Sequence, residues 1–201
     1  MNAKRIFDLF FTVPGLIILL PFFIIIAIWV KVDSNGPIFY RQERVGRYGN
    51  LFQMYKFRSM VVDADKIGRA ITVGEDSRIT RAGQVLRRYK LDELPQLINV
   101  LKGDMSLVGP RPEVPRYVNL YTPEQREVLQ LIPGITDPAS IKYRNENELL
   151  AATRDVNDVH VDPEYIYIHE IMADKIGINL AYANRANTLS DFRIIIKTIF
   201  D

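Results

Sequence analysis

The stretch LFFTVPGLIILLPFFIIIAIWV, residues 9–30, decides the architecture, because its 22 residues include no charged side chain. At about 1.5 Å of rise per residue, a straight helix of this length would cross a hydrocarbon layer of roughly 30 Å. Pro21 lies near the middle, lacks a backbone donor and clashes with the preceding turn. We therefore expect a kink or break at Pro21 that leaves two apolar arms, 9–20 and 22–30.

Positive side chains flank this apolar stretch on both sides: Lys4 and Arg5 before it, and Lys31, Arg41, Arg44 and Arg47 after it. Positive charge near the ends of membrane segments stays on the cytoplasmic side, so a re-entrant hairpin fits both flanks better than a single span does. A bitopic anchor and a buried soluble helix remain alternatives, and no small-residue cleavage site supports a secretory signal. We assign residues 1–32 to a re-entrant membrane helix and 33–201 to a cytoplasmic domain.

The charge of the chain is small but unevenly placed. The net charge is +2, yet residues 1–130 carry 19 Lys and Arg against 13 Asp and Glu, whereas residues 131–201 carry 7 against 11. A basic half next to a membrane segment suits an anionic lipid surface or a phosphorylated substrate. The chain has no cysteine, which excludes disulfides and thiolate chemistry.

Outside the apolar stretch, the sequence predicts an α+β fold that is predominantly helical. Residues 38–42 and 51–57 have strand composition and are joined through a glycine-containing turn, which predicts a β-hairpin. Apolar periodicity predicts helices over 78–90, 92–101 and 124–131. A last helical pattern fits either core packing or contact with the membrane interface, and its apolar face consists of Phe192, Ile195, Ile196 and Ile199.

Asp92 and Glu93 are the first candidates for chemistry. Adjacent carboxylates at a helix start are favoured by the helix dipole, so N-capping is the structural explanation for them. Three cations come just before them, namely Arg87, Arg88 and Lys90. Such a cluster could bind a divalent ion and a phosphate together, and one carboxylate could then act as a nucleophile that forms an acyl phosphate.

Two basic motifs complete the candidates. In GPRP at 109–112, two prolines fix the backbone around Arg111 and would present its guanidinium for bidentate contact with phosphate. A proline-rich turn with a solvated arginine is the structural alternative. Lys56 and Arg58 alternate with Phe57, which also fits an ordinary solvated strand face.

These motifs, in this order, resemble those of the bacterial sugar transferase family, the small monotopic phosphoglycosyl transferases that begin glycan assembly on polyprenyl phosphate. The resemblance covers nearly the whole chain. Besides the apolar stretch interrupted by proline, it depends on DS and GP at 33–37, FYRQ and RVG at 39–46, KFRSM at 56–60, LDELPQ at 91–96, KGDMS at 102–106 and VGPRP at 108–112.

The resemblance implies a re-entrant helix broken at Pro21, with both ends at the cytoplasmic face of the bacterial inner membrane. It implies that Asp92, of the pair Asp92-Glu93, attacks the β-phosphate of a nucleoside diphosphate sugar, usually a UDP-sugar, and releases UMP. Polyprenyl phosphate would then collect the phosphosugar from Asp92. Mg²⁺ is the implied cofactor, with Asp92 as its ligand. The implied substrate-binding residues are Arg87, Arg111, Lys56 and Arg58; Arg144, in a segment that departs from the family, is a further candidate for substrate contact.

Two departures from the family pattern limit what can be transferred. Leu20 stands before Pro21 where many members have serine, and residues 137–146 replace a stretch that contains glycine and glutamine in many relatives. The sugar therefore stays open, as does a homo-oligomeric state. A non-catalytic membrane scaffold is the competing functional class; nucleic acid is not expected, because the arginines form no run. His160 and His169 lack any metal-ligand pattern.

Overall fold

The computed structural model describes residues 3–64, 76–152, 155–156, 159–160 and 162–200. Its helices are α1 (Ala3–Asp33), α2 (Arg81–Arg88), α3 (Gln96–Lys102), α4 (Pro115–Val118), α5 (Pro138–Lys142), α6 (Glu146–Ala152), α7 (Pro163–Ile166), α8 (Met172–Ala183) and α9 (Thr188–Phe200). Its strands are β1 (Phe39–Val45), β2 (Leu51–Phe57), β3 (Ser106–Val108), β4 (Gly134–Thr136), β5 (Asp155–Val156) and β6 (Val159–His160). The predicted mostly helical α+β composition is confirmed.

The predicted hairpin is present, and it is longer than the sequence pattern indicated. Strands β1 and β2 pair antiparallel from Phe39 opposite Phe57 to Val45 opposite Leu51. Successive side chains point to opposite faces of a strand, and both Met54 and Phe57 are buried, so the hairpin is covered on both sides. Two further two-stranded sheets are small: β3 with β4, which is parallel, and β5 with β6, which is antiparallel.

The predicted helices are shorter than their apolar patterns. The helix expected at 78–90 is α2, which begins after Thr80, whose hydroxyl accepts from the Gly83 amide at 3.0 Å. The helix expected at 92–101 is divided into a 3₁₀ turn, Leu91–Glu93, and α3. Pro95 lies between them, and its missing N–H removes the bond that would join the two parts. The pattern at 124–131 forms the 3₁₀ segment Gln125–Gln130.

Helix α1 carries the apolar stretch and is the one helix of the described residues that is long and apolar enough to cross a membrane. The side chains in the middle of α1 are exposed: Ile17 and Ile18 are 68% and 69% exposed. The backbone stays helical through both Pro14 and Pro21, so the predicted interruption at Pro21 does not appear as a gap in the helix. A proline removes only the backbone hydrogen bond that its own N–H would donate, and the other backbone hydrogen bonds of the helix remain.

The beginning of α1 is anchored to the rest of the chain. The buried Asp8 carboxylate accepts from the Ser106 hydroxyl at 2.9 Å and from the Leu107 amide at 3.0 Å, at the start of β3. The Arg5 guanidinium donates to the carbonyls of Val100 and Leu101 at the end of α3. Both contacts join α1 to the segment that follows the Asp92-Glu93 turn.

The other end of α1 is anchored as well. The guanidinium of Arg58, which is 4% exposed, donates to the carbonyls of Val30 (3.2 Å), Ser34 (2.6 Å) and Asn35 (2.6 Å). It thereby satisfies carbonyls that the end of a helix leaves without partners. The Asp33 carboxylate accepts from the Ala82 amide at 3.0 Å in the first turn of α2. Both ends of α1 therefore contact one folded body.

Candidate active site

The Asp92-Glu93 pair lies in a tight turn between α2 and α3. Lys90 has a left-handed backbone, with φ 55° and ψ 23°, and reverses the chain directly before the 3₁₀ turn Leu91–Glu93. The reversal brings Arg87, near the end of α2, to the same cavity as both carboxylates. The acidic pair was expected at the start of a helix. It lies in a separate 3₁₀ turn shortly before α3 and does not belong to α3 itself.

Glu93 is held by two cations. Arg111 makes a two-pronged contact, with Nη1 donating to Oε2 at 3.0 Å and Nη2 donating to Oε1. Lys56 donates from Nζ to Oε1 at 3.1 Å. Burial alone would raise the pKa of Glu93, but the charges and hydrogen bonds of Arg111 and Lys56 hold that pKa well below its usual value. Glu93 is therefore ionised at neutral pH and joins β2 to the GPRP loop.

Asp92 is placed differently from its neighbour. It is 7% exposed, lines the cavity, and has no hydrogen bond or ion pair within the part of the chain that the structure describes. Burial raises the pKa of Asp92 above its ordinary value; Lys56 opposes this shift, and the charge of Glu93 adds to it. The two carboxylates thus have different roles: Glu93 holds Lys56 and Arg111 in place, and the oxygens of Asp92 remain available to a ligand.

The loop that carries Arg111 is held by backbone contacts that are too close to admit a Cβ atom at Gly109 or Gly134. The Gly109 amide donates to the Thr136 carbonyl at 3.0 Å, and the Gly134 amide donates to the Pro110 carbonyl at 3.0 Å. A Cβ at Gly109 would lie 2.3 Å from the Ile132 carbonyl oxygen. The glycines therefore permit the contact between β3 and β4 from which the loop projects.

A buried network supports the far side of the same loop. Arg44 Nη1 donates to the Pro112 carbonyl at 3.1 Å and to Glu113 Oε1 at 3.2 Å. The Tyr167 hydroxyl donates to the other oxygen of Glu113. Sequence reasoning named none of these residues as site residues. Glu113 follows the GPRP motif directly, which was the only signal available.

One cavity of about 880 Å³ contains the site. All seven polar residues predicted from the sequence line it, and they come from β2, α2, the acidic turn, the GPRP loop and the segment after α5: Lys56, Arg58, Arg87, Asp92, Glu93, Arg111 and Arg144. Pro21, the predicted membrane break, lies in α1 and does not line the cavity. The structure therefore brings together seven side chains that the sequence placed in five separate segments.

Two of the predicted arginines bind protein carbonyls. Arg58 is committed to the end of α1, as described above. Arg144 donates from Nη2 to the Thr198 carbonyl in α9 at 2.8 Å, and the Thr198 hydroxyl in turn contacts the Thr136 hydroxyl at 2.6 Å. Their geometry favours roles in holding helices to the site, whereas Arg111 and Arg87 line the cavity without such bonds to carbonyls of the described residues.

The residues present fit a magnesium ion only if waters and substrate phosphates supply most of its ligands. Among the described residues, no three of the types His, Cys, Asp and Glu come together to make a protein cage. Mg²⁺, however, is usually bound by one or two carboxylates together with waters and substrate phosphates. Asp92, whose oxygens have no competing donor among the described residues, suits that arrangement. His169 stacks on Tyr165, with ring centroids 4.2 Å apart, and is not in the cavity wall; the side chain of His160 lies outside the described residues.

Comparison with known proteins agrees with this architecture. The family model described as bacterial sugar transferase matches residues 1–201. A putative undecaprenyl-phosphate N-acetylgalactosaminyl 1-phosphate transferase of Bacillus subtilis is 46% identical over 136 residues, which cover 68% of this chain and 72% of the relative. The exopolysaccharide production protein ExoY of Sinorhizobium fredii is 35% identical over 187 residues, covering 86% and 80%.

A third relative is much longer than this chain. The undecaprenyl-phosphate galactose phosphotransferase of Salmonella typhimurium is 43% identical over 159 residues, which cover 71% of this chain but only 33% of that protein. The family model matches from end to end, and the relatives named for their reaction transfer sugar phosphates to undecaprenyl phosphate. The chain belongs to the bacterial sugar transferase family and is a transferase.

Proposed function

We propose that the protein transfers a sugar 1-phosphate from a nucleoside diphosphate sugar, in particular a UDP-sugar, to polyprenyl phosphate. The observation that carries this proposal is the contrast within the acidic pair. Glu93 is bound by Arg111 and Lys56, while Asp92 is buried at the same cavity without such partners. A carboxylate with that environment suits nucleophilic attack on a phosphate that the cations hold.

The reaction proceeds in two displacements at one phosphorus. In the first, an Asp92 oxygen attacks the β-phosphorus, the bond to the bridging oxygen breaks, and UMP leaves with that oxygen. The phosphosugar stays on Asp92 as an acyl phosphate. In the second, an oxygen of polyprenyl phosphate attacks the same phosphorus and the Asp92 carboxylate leaves. The product is a polyprenyl diphosphate sugar, and Asp92 is regenerated.

The residues around the phosphorus position it and neutralise charge, which is most of what phosphoryl transfer requires. Arg111 keeps a fixed orientation because Glu93 accepts from both of its Nη atoms. Arg87 adds a second positive charge to the wall of the cavity. When bound at Asp92, Mg²⁺ would offset the charge of the diphosphate oxygens.

The membrane arrangement follows from the two anchored ends of α1. A helix that crossed a bilayer would carry its ends to opposite faces, yet Asp8 and Asp33 both bind the same folded body. The exposed apolar middle of α1 then lies within one leaflet while both ends of the helix stay at the same face, in agreement with the positive flanks on both sides. The proposed location of the site is the cytoplasmic face of the bacterial inner membrane, within reach of donors from water and acceptors from lipid.

Loss of the carboxylate is the first test. We expect Asp92→Asn, purified in nanodiscs, to release no UMP from a UDP-sugar, since an amide is a poor nucleophile. Asp104→Asn is the matched control, because Asp104 lies outside the cavity and accepts from the Asn99 amide, which an asparagine oxygen can still do. Turnover of Asp92→Asn near the parent rate excludes Asp92 from this role. A parent that releases no UMP from any UDP-sugar favours the scaffold.

Topology can be tested with single cysteines, since the chain has none of its own. Asn2→Cys and Asn35→Cys should both react with a membrane-impermeant reagent from the cytoplasmic side only. Position 35 is preferable to 36, because a Cβ at Gly36 would lie 1.8 Å from Arg58 Nη1. Reaction from opposite sides of the membrane establishes a full span and refutes the re-entrant arrangement.

A further inference from the structure

The cavity extends beyond the acidic pair to a wall made by one face of α8. The residues of this face follow one another at the spacing of a helix face and consist of Met172, Lys175, Ile176 and Asn179. This wall comes from a part of the chain far in sequence from the motifs, and the reaction described above assigns no task to it.

Asn179 is the unusual member of this face. It is 6% exposed, and its Oδ1 atom is buried without a hydrogen-bond partner among the described residues. A buried amide oxygen without a hydrogen bond is costly, so an unpaired acceptor on a residue that lines the cavity indicates a donor that arrives with a ligand. Asn179 is thus a polar contact point in a site already large enough for a nucleotide sugar.

The charge of this wall indicates which part of the donor it receives. Lys175 is paired with Glu146, and its ammonium lies over the rings of Tyr143 and Tyr167, at 5.7 and 5.4 Å from their centroids. Its positive charge is therefore already satisfied within the protein. The wall suits an uncharged group, whereas the diphosphate belongs with Arg111 and Arg87.

The polarity of the wall distinguishes a base from a sugar. Met172 and Ile176 on the same helix face and Val128 also line the cavity, and these three apolar side chains belong to one buried cluster. A sugar placed there would leave several hydroxyls without partners, which is costly in a buried site. A flat heteroaromatic base has apolar faces and presents its donors and acceptors along one edge, which a single side-chain amide can meet.

We propose that this face of α8 binds the nucleobase of the donor, with the imide N–H of uracil donating to Asn179 Oδ1. The assignment rests on the proposed function, because it takes the donor to be a UDP-sugar. It gives the chain a nucleobase contact that is separate from the residues that hold the phosphates.

Binding of UMP to the whole protein in nanodiscs tests this assignment. The probes are UMP and inorganic pyrophosphate, each measured by calorimetry on the parent, on Asn179→Leu and on Asn184→Leu. Leucine is close to asparagine in size, and Asn184 is an exposed residue at the end of the same helix. We expect Asn179→Leu to weaken UMP binding by about 3- to 10-fold, the size of one neutral hydrogen bond. Pyrophosphate binding should stay unchanged, and Asn184→Leu should behave like the parent.

The other outcomes overturn the assignment, each in a recognisable way. Unchanged UMP affinity in Asn179→Leu refutes the base contact, and if the KM for the UDP-sugar rises all the same, the wall binds the sugar instead. An equal loss of UMP and pyrophosphate affinity shows that Asn179 only supports the fold of the cavity. A parent that binds no UMP refutes the proposed donor itself, which distinguishes failure of the proposed function from failure of this inference.

Discussion

Glu93→Gln is the substitution for which the site geometry makes the sharpest prediction. Glutamine has almost the shape of glutamate, but it carries no negative charge between Arg111 and Lys56. In the parent, Arg111 Nη1 lies 3.0 Å from Glu93 Oε2 and Lys56 Nζ lies 3.1 Å from Glu93 Oε1. The variant leaves two cations without their anion, and its amide nitrogen meets an Arg111 donor that needs an acceptor.

The expected loss in the free energy of unfolding is about 2–3 kcal/mol at pH 7. Removing one partner of a fully buried ion pair costs roughly 3–5 kcal/mol. The side chains of Lys56, Glu93 and Arg111 are 17%, 21% and 33% exposed, so solvent screens part of that cost. At roughly 2–4 °C per kcal/mol for a chain of this size, the melting temperature of the variant in nanodiscs should be about 4–12 °C lower than that of the parent.

The pH dependence gives the prediction a sign. The pKa of Glu93 is depressed in the folded protein, so its contribution to stability is present above its unfolded pKa of about 4.3 and is lost as pH falls through the folded value. Parent and Glu93→Gln should therefore converge in stability at low pH. A difference at pH 7 below about 0.5 kcal/mol, the range of ordinary surface substitutions, would refute this account of Glu93.

The same variant also changes the pKa of its neighbour. The charge of Glu93 helps to raise the pKa of Asp92, so its removal lowers the pKa of Asp92. Because the attack on phosphorus needs the ionised carboxylate, the acid limb of the pH–rate profile for UMP release should move to lower pH. The plateau rate should fall, since Arg111 loses its anchor. An acid limb that moves to higher pH contradicts the reasoning.

Three further predictions concern the supports of the site. Arg58→Ala should lower the free energy of unfolding by about 1–3 kcal/mol, because carbonyls at the end of α1 lose their buried donor, and Arg58→Lys should recover only part; an effect below about 0.5 kcal/mol counts against this role. Gly83→Ala places a Cβ 1.9 Å from the Ser59 carbonyl oxygen, so we expect a loss of about 1–3 kcal/mol, and parent-like melting contradicts the close approach. Chelation by EDTA should abolish UMP release without changing the melting temperature, and Mg²⁺ should restore it; activity that persists in EDTA excludes the metal.

The local patterns of the sequence predicted the elements that depend on neighbours along the chain. The hairpin follows from two short apolar runs around a glycine turn, and α1 follows from a long apolar stretch without charged residues. The acidic pair was expected at the start of a helix over 92–101, and it lies instead in a 3₁₀ turn shortly before α3. In each case the deciding interactions lie within a few residues.

The partners of the charged side chains could not be predicted from local sequence patterns. Lys56 and Arg58 are two residues apart, yet one binds Glu93 in the site and the other binds carbonyls at the end of α1. Nothing in their local sequence separates these roles, because the partner of Lys56 lies 37 residues away and those of Arg58 lie 23 to 28 residues away. Asn179 was missed for the same reason: only the packed fold shows that its amide oxygen has no partner among the described residues.

The continuity of α1 shows a second limit of local reasoning. Pro21 removes one backbone donor, which predicts a disturbance but does not fix its size. The helical hydrogen bonds on either side have no competing partner in an apolar segment, so the helix continues. The anchoring of both ends, through Asp8 and Asp33, is what favours a segment that enters and leaves on one side, and only tertiary contacts reveal it.

The most direct measurement of the central claim is mass spectrometry of the enzyme mixed with donor alone, quenched before lipid acceptor is added. The account predicts a peptide containing Asp92 that is heavier by one phosphosugar, absent from Asp92→Asn, and returned to its original mass by polyprenyl phosphate. Steady formation of lipid-linked product, with that peptide unmodified at every early time, would contradict it.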